Sequence, residues 1–416
     1  MLDNSNNIEL LAPAGEMDAL KSAVTFGANA VYLAGNSYGM RTAAKNFSAQ
    51  QLEQAINYAH KNKVKVYITI NIVPSNEEIT QIKDYLGLLS ELKADAVIVA
   101  DIGLLQLAKK YAPNLDIHIS TQAGVTNYYT AKQLWQLGAK RVVLARELSL
   151  EDIANIRQQV PKPLEIECFI HGAMCMSFSG RCLLSQYLTG RDANHGDCPQ
   201  TCRWEYKITE ITRDNIPMDI IENQTGTTIM SAQDMSTIKH IGDIINAGVN
   251  SLKIEGRAKS AYYTGVITNA YKTALNSVLN NKSTPKWAID EVNSVSHRPY
   301  STGFYYAGKM SQGRRQPPSQ TYNKAYIRNY QLIANTLENI KNQTNVLVQT
   351  RNYFKTGELI EIVKPNTAPK KVKIYQIIDK AGNLISYSNK PMAELYLQFD
   401  KKLSAPAGSF IRQKIK

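Results

Sequence analysis

Eight short runs of β-branched and aliphatic residues recur before residue 258, and their recurrence limits the fold more than any other feature of the sequence. They are IELLAP (8–13), AVYLAG (30–35), KVYITIN (65–71), AVIVAD (96–101), DIHISTQ (116–122), RVVLARE (141–147), LEIECFIHG (164–172) and SLKIEGR (251–257). Stretches with helical spacing lie between them, among them 49–61, 76–93 and 149–160. Strands alternating with helices give parallel strands joined by crossovers. Eight such units predict an α/β fold, a TIM-like (β/α)8 barrel. An open doubly wound sheet is the alternative. No GxGxxG follows the first run, where LAPAGE stands instead, so a dinucleotide site is disfavoured.

One interval breaks the rhythm. Residues 173–250 separate the seventh and eighth runs, far too many for a helix and two loops. We therefore expect a cysteine-rich insertion, 168–235, leaving the C-terminal face of the barrel, where active sites sit. It includes a hairpin candidate, CRWEYKITEITRDNIPM (202–218), and a strand candidate at 226–234. The barrel with this insertion is assigned to 1–280. Residues 281–325, rich in Ser, Thr, Pro, Asn and Gly, read as a linker or loop layer. Residues 326–416 read as a small β-barrel or sandwich, with strands expected in 345–366, 370–379, 382–389 and 408–416.

Hydrophobic residues make up 44% of the chain and charged ones 20%, which excludes disorder, collagen and coiled coil. No apolar stretch reaches the ~18 residues of a membrane span. The N-terminus lacks the basic and apolar regions of a secretory signal. The expectation is a cytoplasmic protein with no membrane partner. The net charge is +13, concentrated at the end: residues 326–416 hold fifteen Lys and Arg against six Asp and Glu. Such an excess suits a polyanion, because each cation set against a phosphate releases counterions. A merely solubilising surface is the other reading.

All five cysteines fall between 168 and 202. Disulfides are rare in the cytosol, so the cluster points to metal or redox chemistry. From Cys175 the spacing is C-x6-C-x15-C-x3-C through Cys182, Cys198 and Cys202. Four thiolates so spaced suit a tetrahedral zinc or an iron–sulfur cubane. Zinc ribbons favour two C-x2-C pairs, and the wider intervals here lean towards iron–sulfur. Cys168 is expected to be a small buried strand residue.

FIHGAMCMSFSGRCLLSQYLTGRDANHGDCPQTCRW (169–204) resembles the signature of the peptidase U32 family. ELLAPAGEMDALKSAVTFGANAVYLAG (9–35), RTAAKNFS (41–48), KIEGRAKSAYYTGVITNAYKTA (253–274), STGFYYAGK (301–309) and RNYFKTGELIEIV (351–363) resemble its other motifs. Within that family the layout is most similar to the prephenate-dependent tRNA uridine 5-hydroxylation proteins. The resemblance implies a [4Fe–4S] cluster on Cys175, Cys182, Cys198 and Cys202, prephenate as cosubstrate, and tRNA as the molecule whose wobble uridine becomes 5-hydroxyuridine. Rival readings are a hydroxylase of ribosomal RNA or a quinone precursor, a non-catalytic RNA-binding protein with a structural cluster, and a U32-type peptidase. There is no HExxH, and a thiolate bound to iron is not a free nucleophile.

Polar residues closing barrel strands face the pocket. His171 and Glu147 are the candidate catalytic groups. Arg41, Arg146, Lys253 and Arg257 are the candidate cations for a dicarboxylate, which guanidinium grips bidentately. The competing role for these cations is salt bridging to Glu147 and Glu255. Inside the cysteine segment, Arg191, Asp192 and His195 are placed to tune a cluster or to close a loop. Aromatic residues interleaved with basic ones at 297–309 and 351–355 suit base stacking or ordinary packing.

Overall fold

In a computed structural model the eight runs become eight parallel strands closed on themselves. The structure describes residues 8–39, 46–175, 177–204, 232–308 and 326–415. The barrel strands are β1 (Glu9–Pro13), β2 (Ala30–Leu33), β3 (Lys65–Ile70), β4 (Ala96–Val99), β5 (Asp116–Ile119), β6 (Arg141–Val143), β7 (Glu165–Ala173) and, after a short β8 (Asp234–Ser236), β9 (Ser251–Ile254). Each pairs in parallel with the next, and β9 pairs with both β7 and β1. Closure removes every edge, so the open-sheet alternative is excluded. β8 runs antiparallel to the far end of β7, and β10 (Tyr300–Ser301) pairs with β8.

The helices in chain order are α1 (Met17–Thr25), α2 (Ala49–Lys61), α3 (Glu78–Glu91), α4 (Ile102–Tyr111), α5 (Tyr128–Gln136), α6 (Leu150–Gln159), α7 (Leu184–Thr189), α8 (Ile241–Asn246), α9 (Ala261–Leu279) and α10 (Lys286–Glu291). Local chemistry sets their starts. Ser48 and Gln51 form a reciprocal capping box on α2, and Ser149 and Asp152 do the same on α6. Asp101, the last residue of the fourth run, caps α4 by accepting the Leu104 N–H at 3.0 Å. Leucines such as Leu52 and Leu86 turn inward from α2 and α3 and are fully buried, each contributing about 1.5–3 kcal/mol.

The chain divides into two compact units. The first comprises residues 1–17, 29–258 and 298–326; the second comprises 18–28, 259–297 and 327–416. The helices α1, α9 and α10 thus belong with the C-terminal strands. In the second unit, β11 (Tyr330–Thr336), β12 (Ile340–Thr350), β14 (Leu359–Val363), β15 (Lys370–Ile378), β16 (Leu384–Ile385), β18 (Glu394–Ala405) and β19 (Phe410–Lys414) form one antiparallel sheet, while β13 (Phe354–Lys355) pairs with β17 (Tyr387–Ser388). The order β14-β19-β11-β12-β18-β15 closes through β14–β15, making a small barrel around Ile333, Val348, Ile374, Leu397 and Phe399.

Several expectations need correction. The expected strands omit β11 and β18, although Leu395, Leu397 and Phe399 turn inward at every second position of β18. Part of the 281–325 linker is ordered structure: α10 starts after Pro285, and Ala288, Val292 and Val295 are buried. Pro285 stands at the N-cap of α10. Most of the hairpin expected at 202–218 and of the strand expected at 226–234 lies outside the described residues.

Candidate active site

The barrel interior is filled unequally. Leu11, Ala30, Tyr32, Tyr67, Ala96 and Ile98, from the first four strands, form an apolar cluster. The later strands contribute charge. Arg141 Nη1 donates to Glu9 Oε1 at 2.6 Å and to Glu167 Oε2 at 2.9 Å, and its Nε donates to Glu165 at 2.8 Å. Lys253 Nζ donates to Glu167 Oε1 at 2.8 Å and lies 4.5 Å from the Tyr32 ring centroid. Ser251 Oγ lies 3.0 Å from both Glu9 Oε1 and Glu167 Oε2, with one hydrogen to donate between them, and Tyr67 Oη donates to Glu9. Burial alone would raise the Glu167 carboxyl; Lys253 and Arg141 outweigh it and hold Glu167 below the ordinary carboxylate range. Nearby, burial and then the Arg141 charge push the His118 imidazole well down, so it stays neutral against the Tyr67 ring.

Nearer the C-terminal ends of the strands, the contacts change character. Arg146 Nη1 donates to the Ala173 carbonyl at 2.8 Å, and its guanidinium lies 3.8 Å above the Phe169 ring. Its approach to Glu255 is longer, 3.6 Å. Arg257 Nη1 donates to Thr69 Oγ1 at 2.6 Å. The guanidinium packs against Gly39, where an added Cβ would stand 3.2 Å from Nη1. His171 Nε2 and Tyr300 Oη are 3.5 Å apart. Gly172 follows His171 at φ +112, and a Cβ there would come within 2.5 Å of the Glu255 carbonyl. This explains why glycine stands in the FIHGA motif.

The cysteine segment leaves the end of β7 and is tied back to the barrel at two points. Glu147 accepts the Ser179 N–H at 2.7 Å and its hydroxyl at 2.9 Å. Ser179 is left-handed, φ 47, a strained position for a residue with a Cβ. The two bonds to Glu147 offset that strain. On the other side, the Asn194 carbonyl accepts the Val73 N–H at 3.3 Å, and His195 lies between Asp192 (2.7 Å) and Glu78 (3.4 Å). The Asn194 side chain brackets Cys182, accepting its N–H at 3.2 Å and donating to its carbonyl at 3.0 Å. Arg191 pairs with Asp197 rather than with a thiol.

Cys175 and Cys198 are exposed, and Cys182 and Cys202 are half-buried. Burial and then the charges of Cys175, Cys198 and Cys182 raise the Cys202 thiol, while the Arg203 charge acts against them; the four sulfurs therefore sense one another. At Cys182, burial acts upward, but bonds from Ser177, Ser185 and the Leu184 and Ser185 amides hold the thiol below its ordinary value. Among the described residues no three of His, Cys, Asp or Glu surround one point closely enough for a single metal ion. N–H and O–H donors gather at Cys182, and the Ser185 hydroxyl lies 3.8 Å from the Cys198 sulfur, which suits thiolates held as ligands of a cluster. Cys168 is buried away from them, its thiol raised by burial and then by Glu167.

Of the residues proposed from sequence, Arg146 and Glu147 lie just beyond β6, His171 lies near the end of β7, and Arg257 lies just beyond β9. Lys253 lies deeper, with its ammonium matched by Glu167. Arg41 lies outside the described residues. Arg141, Glu165 and Glu167 were not singled out from sequence, although charge at alternate positions of LEIECF is the signal of a polar barrel lining. Within the 297–309 motif, Arg298 is buried on Asp234, with its Nη2 2.8 Å from Oδ1, and Tyr305 donates to the Phe169 carbonyl.

A closed (β/α)8 barrel with four cysteines gathered in the segment that follows its seventh strand defines the class: a (β/α)8 barrel protein with a cysteine-rich insertion. The chain belongs to peptidase family U32. The profile of that family matches residues 15–315, and the profile of its C-terminal domain matches 328–412. The chain is 34% identical over 400 residues to tRNA hydroxylation protein P1 of Bacillus subtilis, covering 95% of this chain and 92% of that protein. It is 40% identical over 303 residues to tRNA hydroxylation protein P of Helicobacter pylori, covering 72% of each. A solved U32 peptidase aligns with TM-score 0.40 at 15% identity, covering 62% of this chain and 96% of its own.

Proposed function

We propose that the protein is a tRNA hydroxylase that converts the wobble uridine to 5-hydroxyuridine, with a [4Fe–4S] cluster on Cys175, Cys182, Cys198 and Cys202 and prephenate as cosubstrate. The observation that carries this reading is similarity over nearly the whole chain to a protein named for tRNA hydroxylation, joined to a four-thiol wrap tied to the barrel mouth. The cluster would supply the redox or Lewis-acid chemistry that side chains lack. Arg257 and Arg146 hold positive charge at the strand ends for the carboxylates of prephenate. Glu147 fixes the wrap through Ser179, and His171, hydrogen-bonded near Tyr300, is the group placed to move a proton. A wobble base is already single-stranded, so it enters the mouth without melting a duplex.

A thiol peptidase is the weaker reading. Cys168 is buried with a raised pKa and is no nucleophile, and the other four thiols are the proposed cluster ligands. Mass spectrometry of tRNA nucleosides from a strain lacking the gene tests the proposal. Loss of 5-hydroxyuridine and its derivatives is expected; an unchanged nucleoside profile overturns it.

A further inference from the structure

The excess positive charge of the C-terminal segment is gathered in one place. Lys341 on β12, Lys364 after β14, Lys370 and Lys371 at the start of β15, and Lys401 and Lys402 on β18 come from four separate stretches of chain. Sheet order sets β12, β18, β15 and β14 side by side. Lys364 Nζ donates to the Ser404 carbonyl at 3.0 Å and Lys370 Nζ to the Lys402 carbonyl at 3.1 Å, which ties the stretches together at one end of the unit. A cleft of about 400 Å³ opens there, lined by Lys341, Lys364, Thr367 and Ser404 among others. Ser404 Oγ accepts the Asn342 N–H at 3.0 Å and keeps its own hydrogen to donate.

None of the six lysines takes part in an ion pair among the described residues. Three acids border them in sequence. Asp400 accepts the Lys373 N–H at 2.9 Å, Glu361, opposite Lys371 in the sheet, is held by Arg412, and neither these nor Glu338 forms an ion pair with any of the six. Three other cations of the unit are matched: Arg412 lies on Glu291 and Glu361, Arg351 on Asp18, and Lys380 on Glu394. Unmatched like charges held together repel one another until a polyanion neutralises them.

We infer that this lysine-rim cleft is the docking surface for the phosphodiester backbone of RNA. The inference rests on the tRNA reading above and deepens it by naming where the backbone is gripped. Lysine ammonium groups read phosphate as point charges, without sequence preference. Four adjacent strands at about 4.8 Å spacing spread the cations over roughly 14 Å, enough for several phosphates of one strand. A lipid surface is the competing occupant, since Leu359 on β14 and Tyr375 on β15 are also exposed, and the vesicle arm of the test below separates the two. Continuing along β15, Lys373 and the exposed Tyr375 follow Lys371 at alternate positions, which places a ring for a base beside the phosphate track.

The test uses the full-length protein and an unmodified tRNA transcript, with binding followed by fluorescence anisotropy across a KCl series. Lys341→Gln, Lys371→Gln and Lys401→Gln are combined, since none of these three side chains makes a described bond and the fold loses nothing. The control combines Lys355→Gln, Lys380→Gln and Lys390→Gln in the same unit. The slope of log K against log salt should flatten by about 2 in the first triple variant, at 0.7–0.9 per phosphate, with affinity down tenfold or more. The control should match wild type. Wild-type binding in the first triple variant, equal losses in both variants, or no tRNA binding by the wild type each overturn the inference. So does a loss confined to binding of vesicles containing one quarter phosphatidylserine. Nucleoside analysis is read separately: unchanged 5-hydroxyuridine in the deletion strain, with tRNA binding lost in the first triple variant, removes the hydroxylase reading and leaves the docking surface standing.

Discussion

The two ends of the barrel interior handle charge differently. At the N-terminal end Arg141 contacts three carboxylates at 2.6–2.9 Å, and Lys253 answers Glu167, which is itself fully buried. At the C-terminal end Arg146 lies 3.6 Å from Glu255 and Arg257 donates to a neutral hydroxyl. Cations locked on several carboxylates hold a barrel together, whereas the looser contacts of Arg146 and Arg257 suit the ligand-binding role proposed above. Charge in a barrel strand therefore carries no functional meaning until its depth along the strand is known.

The largest expected effect lies at the mouth. Cys182→Ala should abolish iron and sulfide incorporation and hydroxylation, whereas Cys168→Ala should keep both. Iron and sulfide analysis of anaerobically purified protein checks this. Stoichiometric zinc without sulfide in the wild type would contradict a cluster.

The next effect lies at the opposite end and falls on stability. Arg141→Met strands buried carboxylates, which costs about 3–5 kcal/mol. Denaturant unfolding measures it. The sign of the pH dependence follows from Glu167, whose folded pKa is depressed. Its contribution is present above the ordinary carboxylate pKa and is lost as pH falls through the folded value. Acid destabilisation should accordingly be weaker in Arg141→Met than in wild type.

Arg257→Lys sharpens the contrast further. It should weaken prephenate by roughly tenfold to a hundredfold, the worth of a charge-assisted contact of about 1.5–3 kcal/mol, with cluster content and melting temperature kept. A lowered melting temperature with unchanged prephenate affinity would move Arg257 to the structural side of the comparison.

The smallest effect concerns the wrap's second anchor. Burial lowers the His195 pKa, but Asp192 and Glu78 outweigh burial and raise it. The stabilisation is complete below the ordinary histidine value of about 6.5 and fades as pH rises through the raised one. Melting curves between pH 6 and 8 should show a slight loss that His195→Gln abolishes.

The sequence made the barrel legible because its strands are continuous apolar runs set off by amphipathic helices with clear caps, such as Ser48 and Ser149. The four cysteines were legible by crowding alone. The rest depends on long-range pairing. Lys253 reads like a pocket cation until Glu167, from another strand, is seen beside it. Arg298 reads like an RNA contact until Asp234 is placed against it. Glu147 was visible as a strand-end acid, but its bonds to Ser179 depend on how the wrap folds back. β18 escaped notice because its strand pattern runs into DKK, a polar run that resembles a turn.

The central claim is that a uridine of tRNA is hydroxylated at the mouth beneath the four-thiol wrap. Its most direct test is the ratio of 5-hydroxyuridine to uridine in tRNA from a deletion strain complemented with wild type, Cys182→Ala or Cys168→Ala. The account predicts full restoration by wild type and Cys168→Ala and none by Cys182→Ala at equal protein levels. Full restoration by Cys182→Ala, or none by wild type, would contradict it.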